Sequence, residues 1–378
     1  MGKKILYIGG FELPDRNAAA QRVVANSKIF KQLGYDIYLV GLSPNLDTID
    51  TPFEYEGLHC INIKYPKTIT EWFYHLFTLR NYRKIIETFN PNIVIAYNHP
   101  AFSLRCLLNH NQTRGIKTLS DCTEWYNAGG GLFFRQIKKW DTNYRMNVVQ
   151  ARLDGVIVIS KFLEQFYINK GTKTLLLPPL VDKSEKKWDD CYKNNKILRL
   201  IYAGSTSRHK DRLDFIISLL NKVAKDEKIE MKFNILGMTS DQYKKMYSLT
   251  GDIPSFVSFK GRVSHVEAIN DLKQSDFQIF FRDNNLVNTA GFPTKFVETI
   301  SSRCLVLTNK SSNLEDYLVD GVNGFWIDTT NDDTIYRTLV RALKVPRNTL
   351  DEMRSKMDVE IFDYRNYVNK TENFINQL

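Results

Sequence analysis

The sequence predicts an α/β protein built from two doubly wound domains, each with a parallel sheet. Three observations predict this architecture. The chain has 378 residues, which is enough for two domains that each bury a core. Short runs rich in β-forming residues alternate with amphipathic segments of helix length almost throughout. Most of these runs are continuously apolar, as expected for parallel strands covered by helices on both faces.

The alternation predicts one series of strands in each half of the chain. The predicted strands of the first half are Lys4–Gly9, Asp36–Val40, Ile61–Lys64, Asn92–Tyr97, Lys117–Ser120, Val156–Ser160 and Thr174–Leu177. Those of the second half are Leu198–Ala203, Met231–Leu236, Val257–Lys260, Phe277–Phe281, Leu305–Thr308 and Gly324–Ile327. Predicted helices between them include Ala18–Leu33, Leu213–Lys225 and Val266–Lys273.

A proline-containing segment from Leu177 to Asp182 interrupts the alternation, and a lysine-rich polar stretch follows it to Asn195. We therefore predict a first domain over residues 1–178 and a second over 179–360. The remaining residues, 361–378, contain an amphipathic helix that we expect to pack back on the first domain. Two such domains facing each other would place a binding site at the carboxyl ends of their strands.

The composition is that of an ordinary soluble globular protein, with 43% hydrophobic and 25% charged residues. No stretch approaches the roughly 18 consecutive apolar residues of a membrane span. The first apolar run stops at Gly9-Gly10, too early for a signal peptide, so we predict the first strand there. The scattered cysteines form no Cys-x-x-Cys pair, which favours free thiols in a reducing compartment and argues against structural zinc.

The segment from Asn288 to Glu298 carries the most functional information. A glycine turn at Gly291 precedes Pro293, which suits the first turn of a helix, and the free N–H groups of a helix N-terminus favour a phosphate. Glu298, one turn inside, can accept paired hydrogen bonds from the two hydroxyls of a ribose. The segment therefore predicts a nucleotide-diphosphate site, with nucleotide-sugars as candidates. The alternative is an ordinary helix–strand unit with Glu298 on its surface.

Two loops that follow strands also suit a ligand. Gly10 opens a long loop after the first strand, and because this loop lacks the pattern Gly-x-Gly-x-x-Gly it carries no dinucleotide fingerprint. Gly204 opens a cationic loop that contains Arg208, Lys210 and Arg212. Lysine offers a point charge and arginine a planar fork, and both suit a diphosphate. A solvated basic loop is the alternative.

Polar groups also follow two strands of the first half. His99 comes directly after the strand Asn92–Tyr97 and is predicted to take or hold a proton near neutral pH, unless it caps the next helix. Asp121 and Glu124 follow the next strand. These carboxylates can position sugar hydroxyls, although Asp121 can equally cap a helix.

These segments, taken in order, resemble the family 4 glycosyltransferases of the GT-B fold over nearly the whole chain. Further matching segments are Asp154–Lys161, Val257–Arg262, Ser275–Phe281 and Glu315–Gly324. The resemblance implies two Rossmann-like domains facing across a cleft. It also implies that residues 1–178 bind the acceptor and residues 179–360 bind the nucleotide-sugar donor.

The resemblance further implies roles for individual residues. Lys210 and the helix N-terminus at 291–295 would stabilise charge on the leaving diphosphate, and Glu298 would hold the ribose. His99, with Asp121 or Glu124, would orient the transferred sugar or the acceptor hydroxyl. The other donor-binding positions are Gly10, Gly204, Arg208, Arg212, Gly261, Arg262, Gly291, Phe292, Thr294 and Lys295.

Three positions depart from the family pattern. The first of two glutamates spaced eight positions apart falls on Ala290, so only the ribose-binding member, Glu298, remains. The arginine expected after the first strand of the second half falls on Ser205, and Arg208 or Arg212 would substitute for it. Thr123 stands where many relatives carry a histidine.

The resemblance implies a retaining, metal-independent hexosyltransferase without a cofactor. It would move a sugar from a UDP- or GDP-sugar to a glycan or lipid-linked saccharide in bacterial surface-polysaccharide assembly. A nucleotide-sugar 2-epimerase of the same architecture and a non-catalytic glycosyltransferase-like subunit are the alternatives. The implied location is the cytoplasm, either free or at the inner face of the cytoplasmic membrane.

The formal net charge of +10 favours an anionic partner. No motif that reads nucleic acid is present, so nucleic acid is not the expected partner. Residues 70–86 and 132–146 mix aromatic and basic side chains, which suits a peripheral contact with anionic lipid. Core packing with lysines that extend to solvent is the alternative.

Overall fold

A computed structural model of the chain describes residues 2–46, 50–125, 131–189, 196–204 and 211–378. The chain divides into two compact units. The first comprises Met1–Val181, Thr289–Phe292 and Asp363–Leu378, and the second comprises Asp182–Asn288 and Pro293–Phe362. Each unit is organised around one mostly parallel sheet, so the predicted α/β architecture is confirmed.

The elements follow the predicted alternation of strands and helices. The strands are β1 (Lys4–Gly9), β2 (Asp36–Ser43), β3 (Phe53–Tyr55), β4 (Leu58–Lys64), β5 (Ile93–Tyr97), β6 (Lys117–Cys122), β7 (Gly155–Val158), β8 (Thr174–Leu176), β9 (Leu198–Ala203), β10 (Met231–Leu236), β11 (Val257–Gly261), β12 (Phe277–Phe280), β13 (Leu305–Thr308) and β14 (Gly324–Trp326). The helices are α1 (Ala18–Gln32), α2 (Ile69–Phe77), α3 (Arg83–Phe89), α4 (Ala101–Gln112), α5 (Leu132–Tyr144), α6 (Lys161–Ile168), α7 (Leu213–Asp226), α8 (Ser240–Tyr247), α9 (His265–Lys273), α10 (Leu286–Ala290), α11 (Thr294–Ser301), α12 (Asp332–Leu343), α13 (Arg347–Ser355) and α14 (Val368–Ile375).

The sheet of the first unit has the order β3-β4-β2-β1-β5-β6-β7-β8, and the second sheet has the order β11-β10-β9-β12-β13-β14. All neighbours are parallel except β3, which pairs antiparallel with β4. Helices cover both faces of the first sheet. One core cluster includes Val23 and Phe30 of α1, and another includes Leu104 and Leu107 of α4. This two-sided burial explains why the strands are continuously apolar.

The short strand β3 is not predicted from the sequence, because its few residues carry no periodic signal. It joins β4 through Glu56 and Gly57, whose φ values of 52° and 71° both lie in the left-handed region. Two successive residues of that kind form the tight turn favoured in β-hairpins. Most other differences concern element ends; for example, β2 continues past the predicted Val40 to Ser43.

The last segment of the chain lies in the first unit. It forms a 3₁₀ turn, Tyr364–Tyr367, followed by α14, where one longer helix was expected. The ring of Phe374 packs so closely on β7 that a Cβ at Gly155 would lie 2.6 Å from its Cζ. A glycine is therefore required in β7 for α14 to pack in this position.

A buried ion pair connects α1 with β6. Arg22, 4% exposed, donates to both carboxylate oxygens of Asp121, which is 0% exposed, at 2.8 to 3.1 Å. Asp121 also accepts a hydrogen bond of 2.5 Å from the Tyr7 hydroxyl of β1. Arg22 further donates to the backbone carbonyls of Leu177 and Pro178, which follow β8. Burial alone would lower the pKa of Arg22, but Asp121 more than offsets it and the pKa is raised.

Replacing Arg22 with alanine should destabilise the first unit by about 3–5 kcal/mol, because it leaves the Asp121 carboxylate buried without its cation. The midpoint of urea unfolding measures this loss. Arg16→Ala is the matched control, since Arg16 pairs with Glu12 at 3.2 Å and is 56% exposed. The control should change stability by less than about 1 kcal/mol. Equal losses of unfolding free energy in the two variants would contradict a stabilising role for the buried Arg22–Asp121 pair.

Candidate functional site

Helix α11 begins within residues 288–298, where the sequence predicts a nucleotide-diphosphate site. Pro293 precedes it in an extended conformation and supplies no side-chain hydrogen bond to the first turn. Thr294, the first helical residue, is partly exposed. The N–H groups of this turn are therefore not occupied by a side-chain cap, and the positive end of the helix suits an anion.

Glu298 lies one turn inside α11, and its side chain is 18% exposed. One carboxylate oxygen lies 3.2 Å from Nε2 of His265, the first residue of α9. The His265 ring in turn packs edge-on against Trp188, with 6.4 Å between ring centroids. Within the described residues the Glu298 carboxylate makes no other hydrogen bond, so one face of it is available to a ligand. The sequence analysis did not identify His265, because nothing in the local pattern links α9 to α11.

Lys295 is held in a buried network. Its ammonium lies 2.8 Å from Asp211 Oδ2 and 3.1 Å from the Tyr202 hydroxyl, over the Tyr202 ring. Burial would raise the pKa of Asp211, but Lys295 and then Tyr202 lower it below its usual value. Gly204 completes the network, because a Cβ there would lie 3.2 Å from the end of the Lys295 side chain. Sequence reasoning did not identify Asp211 and Tyr202 as the partners of this lysine.

Of the cationic residues predicted after Gly204, the structure describes Arg212. Arg208 and Lys210 lie outside the described residues, so their predicted roles stay predictions. Arg212 is exposed, has a φ of 42°, and lies over the ring of Phe215 at 5.0 Å. The ion pair between Lys295 and Asp211 holds the chain at Asp211, directly after residues 205–210.

The other donor-binding positions belong to both units. Gly261 ends β11 with a φ of 68°, and Arg262 beside it is exposed. Gly291 and Phe292 belong to the first unit, together with Ala290. Ala290 is fully buried, and its carbonyl accepts a 2.7 Å hydrogen bond from the Ser160 hydroxyl. The position of the missing family glutamate is thus occupied by a small buried side chain.

Two strand ends of the first unit are joined by side chains. Asn98 donates to the Thr123 hydroxyl at 2.6 Å, and the Thr123 N–H donates back to Asn98 Oδ1 at 3.1 Å. Glu124 is exposed directly after this pair, and Gly10 is exposed after β1. Of the predicted groups in this unit, Glu124 and Gly10 are therefore accessible to a ligand.

His99 is buried, with 1% of its surface exposed. Its Nε2 lies 2.9 Å from the Ser103 hydroxyl, and the His75 and Tyr82 rings are 6.0 and 5.4 Å from it. Burial, with a smaller contribution from His75 and Arg145, lowers the pKa of His99 to about 3. A pKa this low disfavours proton exchange by His99 near neutral pH, and its predicted role stays a prediction.

Asp121 and His99 are not brought together. The described partners of Asp121 are Arg22, Tyr7 and Asn26. Asp121 supports the first unit through these contacts. Because Asp121 and His99 are both buried, direct contact of either side chain with a sugar is disfavoured. Their proposed roles in orienting a sugar stay predictions.

The buried histidines should make the protein sensitive to acid. Burial lowers the pKa of His75 to about 4 and that of His99 to about 3. Because both values lie below that of an unfolded histidine, the unfolded chain binds protons first as the pH falls. The free energy of unfolding should therefore fall between about pH 6.5 and pH 4, by up to about 1.4 kcal/mol per pH unit for each histidine.

Urea unfolding measured from pH 7 to pH 4 tests this expectation. His99→Phe should reduce the slope of the unfolding free energy against pH by up to about 1.4 kcal/mol per pH unit, which corresponds to one proton. His59→Gln, at a histidine that is 47% exposed, is the comparison variant. An unchanged slope in folded His99→Phe would rule out His99 as the source.

Aromatic side chains of α2, α4 and α5 form one continuous cluster, which we call the aromatic surface. Phe77 contacts Phe73 and Phe102, Phe102 contacts Trp140, and Trp140 stacks on Tyr144, with 5.2 to 5.4 Å between ring centroids. Phe73 and Trp140 are more than half exposed. No helix among the described residues is long and apolar enough to cross a membrane. The aromatic surface is thus an exposed apolar patch on the first unit.

Residues 185–359 match the family model described as Glycosyl transferases group 1. The matched segment includes α11 with Lys295 and Glu298, and most of the second unit. No curated protein sequence matches the chain significantly. Most of the second unit is therefore similar to this family of glycosyltransferases.

Solved structures share the fold over the full length of the chain. Sucrose-phosphate synthase from Thermosynechococcus elongatus has a TM-score of 0.70 at 11% identity, over 99% of this chain and 98% of that one. HepE from Anabaena, in complex with UDP and glucose, has a TM-score of 0.68 at 11% identity, over 100% of both chains. A TarM mutant from S. aureus, in complex with fondaparinux, α-GlcNAc-glycerol and UDP, has a TM-score of 0.69 at 12% identity, over 99% and 100%.

The solved structures bear on the fold, and the family match bears on the activity. The two parallel-sheet α/β units have the GT-B fold, which confirms the predicted fold class. The family match over residues 185–359 supports a glycosyltransferase. Nothing in the comparisons supports the epimerase alternative.

Proposed function

We propose that the protein is a retaining, metal-independent glycosyltransferase of family 4. It transfers a hexose from a nucleotide-diphosphate sugar to a glycan or lipid-linked saccharide. One observation carries the proposal: a segment that matches the glycosyltransferase group 1 model contains an uncapped helix start with an accessible Glu298 one turn inside. The HepE and TarM structures contain UDP, which favours a UDP-sugar as the donor.

The donor is proposed to bind to the second unit. The first turn of α11 faces the diphosphate with its N–H groups, and Glu298 accepts hydrogen bonds from the ribose hydroxyls. Lys210 adds positive charge as the diphosphate leaves, so that no metal ion is needed for this step. Lys295 and Asp211 position the chain after the loop that contains Lys210.

The acceptor is proposed to bind to the first unit, where Gly10 and Glu124 are accessible at strand ends. Glu124 is the predicted group best placed to bind a sugar or acceptor hydroxyl, because it is exposed whereas His99 and Asp121 are buried. Assembly of a bacterial surface polysaccharide is the proposed setting, by resemblance to family 4.

Glu298→Ala should weaken nucleotide binding about tenfold or more, because two ribose hydroxyls lose a charged acceptor worth roughly 1.5–3 kcal/mol. Calorimetry with UDP and GDP, followed by transfer assays with UDP- and GDP-sugars in EDTA, measures the effect. EDTA is included because the proposed reaction uses no metal ion. Slow hydrolysis of the donor without an acceptor also counts as activity.

His265→Ala is the matched control, since it removes the neighbour of Glu298 without removing the proposed ribose acceptor. It should weaken nucleotide binding much less than Glu298→Ala. Unchanged nucleotide affinity in folded Glu298→Ala would refute the ribose assignment. Nucleotide binding without any transfer or hydrolysis would favour the non-catalytic alternative.

We further propose that the aromatic surface contacts an anionic membrane, which fits a lipid-linked acceptor. Trp140 and Tyr144 are the residue types enriched at membrane interfaces, and Lys138 and Lys139 precede them on α5. Arg105 donates to the Tyr144 hydroxyl at 2.7 Å and adds a further cation. The aromatic rings together with Arg105, and the lysines elsewhere on α5, match the chemistry of an anionic lipid headgroup region.

Changing Lys138 and Lys139 together to glutamate should weaken binding to phosphatidylserine-containing vesicles about thirtyfold or more, since each lysine contributes about 1 kcal/mol near such a surface. Co-sedimentation at low and moderate salt measures this, and salt should weaken wild-type binding. The control changes Lys244 and Lys245 of α8, an adjacent pair in the second unit, to glutamate. Equal effects of the two double variants, or no wild-type binding at low salt, would remove the membrane from the proposal.

A further inference from the structure

The second unit contains a cavity of about 950 Å³ at the carboxyl ends of β12, β13 and β14. Its volume lies at the upper end of the roughly 300–1,000 Å³ typical of small-molecule sites. The first residues of α7 and α12 form its sides. None of its lining residues belongs to α11, whereas Arg212, one of the predicted donor-binding residues, does line it.

The walls of the cavity are held in place by hydrogen bonds between side chains and the backbone. Asn309 accepts from the Arg282 N–H at 2.8 Å and donates to the Arg282 carbonyl at 2.7 Å, which joins the chain after β12 to the chain after β13. Asp328 accepts from the Thr330 N–H at 2.9 Å, and Asn331 caps α12. A ligand would therefore enter a preformed site and would not have to order these loops.

The lining combines aromatic rings with unoccupied polar side chains. Phe215 and Phe281 lie 6.4 Å apart between ring centroids, and Trp326 lines the same cavity. Asp283 and Asp332 are exposed, and within the described residues their carboxylates make no hydrogen bond. The carboxylates accept hydrogen bonds from hydroxyls, while the rings offer apolar surface to the C–H groups of a sugar.

The charged side chains of the lining balance in sign. Asp283, Asp328 and Asp332 would repel a phosphate or carboxylate. Three cations, Arg212, Arg282 and Lys310, line the same cavity and balance these carboxylates, so the lining has no net charge. A ligand with many hydroxyls and no net charge fits both sets of groups.

We propose that this cavity binds a neutral oligosaccharide. In a glycosyltransferase such a site would hold part of the acceptor or product glycan away from the donor diphosphate. That role rests on the proposed function, whereas saccharide binding by the cavity does not.

Saturation-transfer NMR with maltopentaose, cellopentaose and chitopentaose as probes tests the proposal on the full-length protein. At least one pentasaccharide should bind, and Asp332→Ala should weaken that binding about tenfold through the loss of one charged acceptor. Asp333→Ala is the matched control. It removes a neighbouring carboxylate from the same helix turn, but Asp333 does not line the cavity. Asp283→Ala provides a second variant, in a loop, and should also weaken binding.

Failure to bind any pentasaccharide, or equal binding by Asp332→Ala and Asp333→Ala, would overturn the proposal. Tighter binding of inorganic pyrophosphate that is lost in Arg212→Ala would overturn it in favour of an anion site. Glu298→Ala separates this proposal from the proposed function, since it should lower nucleotide affinity and leave pentasaccharide binding unchanged. A protein that binds a pentasaccharide here but transfers no sugar would contradict the proposed function alone.

Discussion

The first unit depends on the ion pair between Arg22 and Asp121. Two charges out of contact with water are tolerated only when each is paired and further hydrogen-bonded. Here the Tyr7 hydroxyl and the carbonyls of Leu177 and Pro178 complete the pairing, so β1, β6, α1 and the chain after β8 are joined at one point. These elements are far apart in the sequence. Loss of the pair would therefore disturb the strand ends that carry the accessible polar groups.

The second unit uses the same combination of groups. A tyrosine of an interior strand, Tyr202 of β9, donates to a buried aspartate, Asp211, which is paired with a cation on a helix, Lys295. In both units burial and the adjacent carboxylate raise the pKa of the tyrosine well above its usual value. Each network stabilises the end of a parallel sheet, where backbone loops must be fixed before they can bind a ligand. Ligand contacts are then left to more exposed groups, such as Glu298 and Glu124.

Buried polar groups support the sheets, so the predicted site retains fewer groups that can reach a ligand. Titratable residues after strand ends were expected to take part in binding, but several of them are buried and support the fold. His99 is neutral and packs against His75 and Tyr82, and Asp121 neutralises Arg22. The groups that remain open lie at the first turn of α11, on Glu298 and in the cavity beside β14. The exposed aromatic surface provides a separate region of the first unit, built from three helices that are not contiguous in the sequence.

The sequence by itself determined the fold class and the positions of most strands, because continuously apolar runs separated by amphipathic helices have few other solutions than parallel sheets covered on both faces. It also located Glu298 and the helix start before it, which are local features of one segment. Only the tertiary structure decided which polar residues are buried, since burial depends on partners far along the chain, such as Arg22 for Asp121 and His265 for Glu298. The cavity at β12–β14 likewise combines residues from separate loops, and no local pattern predicts such a combination.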